Sequence, residues 1–207
     1  MPVTTIDLMS EFRPLYAPGR TPVLVTVPEF LFLMIDGQGD PDASPEYEQA
    51  VAALYAVSYS VKFELKRARQ GLDYRVLPLE GLWWAADMSA FRLQDRAKWG
   101  WTMMIRQPDL VEPGLVDEAA RMVAARRSLP AALRLRLERF EEGQAAQVMH
   151  VGPFATEGPT IERLHAFIAA QGYERTGKHH EIYLGDPRRT APERLKTVLR
   201  QPVTPAP

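Results

Sequence analysis

Cysteine is absent from all 207 residues. Disulfides, thiolate nucleophiles and cysteine-ligated zinc or iron–sulfur centres are therefore excluded. Neither charge is in surplus, with 25 Lys and Arg against 26 Asp and Glu and a net charge of −1. That balance gives no electrostatic footprint for nucleic acid. No apolar run reaches membrane-spanning length, and the first residues lack a charged-then-apolar signal pattern. No membrane partner is expected, and the expected compartment is the cytoplasm. Phosphate loops are missing too: Gly37-Gln38-Gly39-Asp40 has neither the GxGxxG nor the GK[ST] pattern. Ser58, Ser60 and Ser89 have no nucleophile-elbow context. There is no HExxH. In His179-His180-Glu181, strand alternation lets only His179 and Glu181 share a metal, and His150 or His165 would have to complete a zinc set. No metal and no cofactor are expected.

What remains is ordinary globular composition, 46% apolar and 25% charged, enough for one domain or two small halves sharing a core. The chain also reads twice. Pro45–Tyr59 aligns without gaps on Pro159–Tyr173, with Pro45/Pro159, Glu48/Glu162, Ala52/Ala166, Ala56/Ala170 and Tyr59/Tyr173 identical. In a helix the last four fall on one face. Ile105-Arg106-Gln107-Pro108 is echoed by Leu199-Arg200-Gln201-Pro202, and Met34-x-x-Gly37 by Met149-x-x-Gly152, in the same order. A fortuitous match of two amphipathic helices is the competing explanation. Duplication predicts a pseudo-twofold pair with a ligand cleft at the seam.

Residues 1–22, with Pro14, Pro18, Gly19 and Pro22, read as an extended arm too short for a helix-turn-helix reader. The run Phe30–Ile35 within Val23–Gly37 predicts a buried strand. Ser44 as N-cap and Pro45 in the first turn open a helix to about Ala68, with Lys62, Lys66, Arg67 and Arg69 near its end. Tyr74–Leu79 predicts a strand that Gly81–Asp87 continues or bends, and Trp99–Arg106 predicts another. Pro113–Arg127 predicts a connecting helix. The alternation from Leu133 to Leu137 predicts a half-buried strand, and Ala145–Val151 its return after a turn at Glu142–Gln144. Pro159–Gln171 predicts a second long helix closed by Gly172. Glu181–Leu184 and Leu195–Leu199 predict the last strands. The architecture is α+β: tandem strand–helix–strand–strand modules, about 23–110 and 132–203, and a loose tail at 204–207.

Aromatic and carboxylate residues gather on the predicted strands. Glu80, Trp83 and Trp84 fall on one, Trp99, Trp101, Met103 and Met104 on the next, and Glu181 and Tyr183 on a third. Glu181 and Tyr183 share a face, and Ile182 and Leu184 take the other, expected to meet the helices. A carboxylate beside an aromatic ring suits a planar aromatic or cationic small molecule, and in an apolar cleft such a group is fitted for acid–base work. Core packing is the plainer explanation of each single tryptophan or methionine. The Asp186-Pro187-Arg188-Arg189 run reads as a polar turn.

Several segments resemble the GyrI-like small-molecule-binding superfamily: Leu33–Pro41, Pro78–Trp84, Ile105–Pro108, His150–Phe154, and above all His179–Arg189 with Leu195–Pro202. The chain is similar to the family's stand-alone branch over roughly residues 23–203. The resemblance implies duplicated strand–helix–strand–strand modules with a ligand pocket between them. It implies that Glu181 occupies the place of a buried glutamate that meets cationic aromatic drugs in sensor relatives. It further implies a hydrolase that adds water to strained cyclopropyl-pyrroloindole rings, with Glu181 as base and a tyrosine assisting: Tyr183 on the same face of the strand, or Tyr55 or Tyr59 on the first long helix. The ligand-binding set expected around them is Tyr59, Glu80, Trp84, Trp101, Met103 and His179. A non-catalytic drug-sequestering module and a gyrase-inhibitory partner are the alternatives. The sequence leaves the oligomeric state open.

Overall fold

The computed structural model describes residues 4–68, 72–85 and 96–207. Arg69, Asp87 and Ser89 lie outside them. In chain order the elements are β1 (Thr4–Ile6), α1 (Leu8–Glu11), α2 (Arg13–Tyr16), β2 (Val23–Val27), β3 (Phe30–Gln38), α3 (Pro45–Ala68), β4 (Leu72–Tyr74), β5 (Leu79–Trp84), β6 (Gly100–Gln107), α4 (Pro113–Arg127), β7 (Arg136–Phe140), β8 (Gly143–Val151), α5 (Gly158–Ala170), β9 (Tyr173–Arg175), β10 (His179–Tyr183) and β11 (Lys196–Pro205). The fold is α+β. Contacts divide it into two compact units: residues 1–11, 30–77 and 84–140 in the first, and 12–29, 78–83 and 141–207 in the second. Membership therefore does not follow sequence order, since β2 and residues 78–83 belong with the C-terminal strands. Among the described residues, no helix is long and apolar enough to cross a membrane.

In the first unit β3 pairs antiparallel with both β6 and β7, and β1 pairs parallel with β4. Helix α3 begins where local chemistry dictates: Tyr47 N–H donates to Ser44 Oγ at 3.3 Å, and Pro45 needs no amide partner in the first turn. Its buried stripe, Ala50, Ala53, Leu54, Val57, Val61 and Leu65, recurs at helical spacing. Full burial of one such valine or leucine stabilises by about 1.5–3 kcal/mol. Helix α4 ends at Ser128, whose φ of 51° is left-handed. Every residue of β6 is buried.

Gly37 faces Trp101 across the β3–β6 ladder, and the indole folds over the bare glycine. A Cβ at Gly37 would fall inside that ring. Gly37→Ala is expected to displace Trp101 and destabilise by about 1–3 kcal/mol. A lower urea midpoint with altered tryptophan emission is the expected readout; an unchanged midpoint would show that the ring relocates freely.

The second unit holds an antiparallel sheet in the order β2-β8-β11-β10-β5, with β9 adding to β11. Leu164 and Ile168 of α5 pack with Ala146, Val148, Leu199 and Val203 on one face of it. Residues 14–20 reach the backbone and side chains of the other: Pro14 and Leu15 accept hydrogen bonds from Gln147 and Arg200, and Gly19 accepts one from the Met149 N–H.

Four expectations about local structure are corrected. The arm predicted at residues 1–22 is not extended throughout, because Leu8–Glu11 and Arg13–Tyr16 form the helices α1 and α2. Tyr74–Leu79 is not one strand: β4 ends at Tyr74 and β5 starts at Leu79. The strand predicted from Leu133 starts at Arg136, because Pro130 opens a 3-10 turn through Arg134. The tail is not loose through Pro205, since β11 pairs Thr204 with Glu174 and Pro205 with Tyr173.

Candidate functional site

Cross-strand partners share a face of a sheet. Glu181 on β10 stands opposite Leu199, and Leu199 opposite Val148. Since α5 packs on Leu199 and Val148, Glu181 lies on the α5 face. This corrects the expectation that Ile182 would meet the helix and Glu181 turn away. The face is set by strand register, which alternation along β10 alone does not reveal.

The partner of Glu181 on β5 is Gly81. No side chain therefore crowds the carboxylate from that side. Tyr183, two residues along β10, donates its hydroxyl to Glu181 Oε2 at 2.8 Å. Trp83 on β5 donates its indole N–H to the Tyr183 oxygen at 2.9 Å. An indole nitrogen can only donate, so the direction of the chain is fixed: Trp83 to Tyr183 to Glu181. His179 Nε2 lies 3.3 Å from Glu181 Oε1, off hydrogen-bonding geometry. The edge of the Phe154 ring meets Tyr183, with centroids 5.5 Å apart. The Glu181 side chain keeps 16% of its surface open to solvent. It is thus anchored on one oxygen and accessible.

Along the next row, Tyr183 pairs with Thr197, and Thr197 with His150. His150 Nδ1 is 3.0 Å from Thr160 Oγ1 at the start of α5. Burial holds this histidine below its ordinary pKa, against the upward pull of the Pro153 carbonyl.

Glu80 lies on the opposite face of the sheet. It meets His180 Nε2 at 3.0 Å, while the Tyr16 hydroxyl donates to its other oxygen at 3.2 Å. His180 Nδ1 meets Glu142 at 3.0 Å, and Arg200 donates to Glu142 at 3.0 Å and to Gln147 at 3.0 Å. Two carboxylates and two cations thus pair in a buried cluster. Burial alone would lower His180 and raise Glu142. Their mutual attraction wins, pushing His180 up to about 9 and, with Arg200, Glu142 down to about 2.

The structure therefore brings Glu181, Tyr183 and His179 together and leaves Glu80 behind the sheet. Tyr59, Trp84, Trp101 and Met103 belong to the first unit. There Trp101 and Met103 are fully buried, and Trp101 meets the Tyr47 ring edge-on. Trp84 covers Gly100. Tyr59, 45% exposed, stacks on Phe63. Trp83 and Phe154 were missed as site residues. A signal for Trp83 existed in its parity with Gly81 on β5, but using it requires the register against β10. Among the described residues no group of three His, Cys, Asp or Glu is placed to hold a metal ion.

Comparison with known proteins agrees with this fold. Residues 20–204 match the GyrI-like small molecule binding domain. A conserved, uncharacterized protein from Listeria innocua is 43% identical over 96% of this chain and 100% of its own, with a TM-score of 0.89. A hydrolase from Listeria innocua is 41% identical over 96% of this chain and 100% of its own, at 0.83. A second hydrolase from that organism is 40% identical over 97% and 100%, at 0.86. No curated protein matches the chain.

Proposed function

The chain belongs to the GyrI-like family of small-molecule-binding domains, and we propose that it is a hydrolase of planar, electrophilic small molecules of the cyclopropyl-pyrroloindole type, with Glu181 activating water. The observation that carries this reading is the directed chain from Trp83 through Tyr183 to Glu181 Oε2, which holds one carboxylate oxygen and leaves the other to act. Two relatives at 40–41% identity are hydrolases, which supports a reaction with water.

In the proposed step Glu181 takes a proton from a water molecule, and the water oxygen bonds to the cyclopropane methylene. The strained carbon–carbon bond breaks, and its electron pair moves through the conjugated ring to the carbonyl oxygen. That oxygen takes a proton and becomes a phenol. The net change is addition of one water. Tyr183 orders the carboxylate, and Trp83 and Phe154 supply aromatic surface beside it.

The test is incubation of the protein with excess cyclopropyl-pyrroloindole compound, followed by mass spectrometry. Many equivalents of product, each heavier by one water, are expected. One equivalent held and released unchanged would overturn the hydrolase and leave a sequestering module instead.

A further inference from the structure

His179 takes no part in the steps above, yet it stands against the acting oxygen of Glu181. Its Nε2 is 3.3 Å from Oε1, and its side chain keeps only 5% of its surface open. Across the ladder it is paired with Trp83, whose indole N–H is already given to Tyr183. A bare ring nitrogen facing a carboxylate at that distance would be repelled, so the proton of His179 sits on Nε2. That N–H is not aligned on Oε1, and it finds no other acceptor among the described residues. Glu181 therefore carries a proton acceptor and His179 an unspent donor, side by side on one face of the sheet. Buried donors are nearly always paired, and a bound ligand is one way the pairing is completed.

The spacing of this pair selects the chemistry it serves. In the cyclopropane opening the electron pair arrives at a carbonyl oxygen across the conjugated ring from the attacked methylene, so a donor beside the base does not reach it. Addition of water to an ester is different. There the attacked carbon itself bears the oxygen that becomes negative, so base and oxyanion donor must stand next to each other. We propose that Glu181 and His179 together hydrolyse planar aryl esters, Glu181 Oε1 taking the proton of water and His179 Nε2–H holding the oxyanion. This rests on the reading of Glu181 as the group that activates water and extends it to a second class of substrate. The water oxygen bonds to the acyl carbon, and the carbonyl electron pair moves onto its oxygen. As that pair returns, the bond to the aryloxide breaks, and the leaving group takes the proton held by Glu181. One ester and one water thus give one carboxylic acid and one phenol. Trp83 and Phe154 supply aromatic surface for the aryl half.

Umbelliferyl acetate is a planar aryl ester that releases a fluorescent phenol on cleavage. The intact protein should release many equivalents, well above the spontaneous rate. His179→Leu removes the donor and should lower kcat by about 10²–10³-fold with KM little changed. His179→Gln, which presents an N–H near the Nε2 position, should recover part of the loss. An aryl trifluoromethyl ketone, whose hydrate copies the tetrahedral adduct, should inhibit the intact protein about 10²-fold more tightly than the matching methyl ketone, a readout that needs no variant to fold. Release no faster than the spontaneous rate, an undiminished kcat in His179→Leu, or ketones of equal potency would overturn the ester activity and leave the cyclopropane reading standing, since that is scored by its own product. Release that continues in Glu181→Gln would remove Glu181 as the water-activating group, and both readings with it.

Discussion

Glu181→Gln should slow turnover of a cyclopropyl-pyrroloindole compound by about 10²–10⁴-fold, the range associated with loss of a general base. Glutamine matches glutamate in shape, and its carbonyl oxygen can still accept the Tyr183 hydroxyl that now reaches Oε2 at 2.8 Å. It cannot take a proton from water. The loss should therefore fall on kcat, with KM changing little, because the aromatic contacts of Trp83 and Phe154 remain. Affinity for the same compound, read by tryptophan quenching, should be unchanged in the variant, which would show that the site is intact. A kcat equal to that of the unaltered protein would remove Glu181 as the base. A parallel loss of that binding would show instead that the carboxylate only holds the site together.

What the sequence revealed was chiefly what local chemistry decides. Ser44 and Pro45 start α3, because caps and prolines act within one turn, and the amphipathic pattern over Pro113–Arg127 marks α4. Glu181 and Tyr183 share a face because alternation is intrinsic to a strand. What stayed hidden depends on partners distant in sequence. Glu80 and Trp83 lie three residues apart on β5, and only the register of β5 against β10 sends Trp83 to the site and Glu80 behind the sheet. The helical turns at residues 8–16 are four residues each, too short to carry a periodic signal. Their backbone carbonyls at Pro14 and Leu15 are held by Gln147 and Arg200, more than a hundred residues away. Pro205 and Pro207 suggested a loose end, yet β9 supplies a partner strand as far as Pro205.

Glu142→Gln should destabilise the fold by about 3–5 kcal/mol, a large share of the 5–15 kcal/mol typical of a folded domain. The side chain is buried between His180 and Arg200, 3.0 Å from each. Removing its charge leaves two cations behind the sheet with Glu80 as the one remaining carboxylate of the cluster, and both cations stay too far from water to recover their hydration. The cluster also ties β10 to the segment carrying Tyr16, so its loss should loosen the strand that presents Glu181. Urea unfolding measures this directly: the midpoint should drop with little change in slope, and a shift under 1 kcal/mol would show the pairing to be energetically neutral. The pH dependence follows from the same contacts. His180 is raised from an ordinary 6.5 to about 9, so its contribution is complete below pH 6.5 and is lost as the pH climbs through 9. Glu142 is lowered from 4.5 to about 2, so its contribution is complete above pH 4.5 and is lost as the pH falls through 2. The cluster should stabilise most between pH 4.5 and 6.5, and stability should fall by about 3 kcal/mol from pH 6.5 to 9. In Glu142→Gln that alkaline slope should shrink, because the carboxylate that chiefly holds the proton on His180 is gone. A slope of undiminished size in the variant would assign the pH dependence to groups elsewhere.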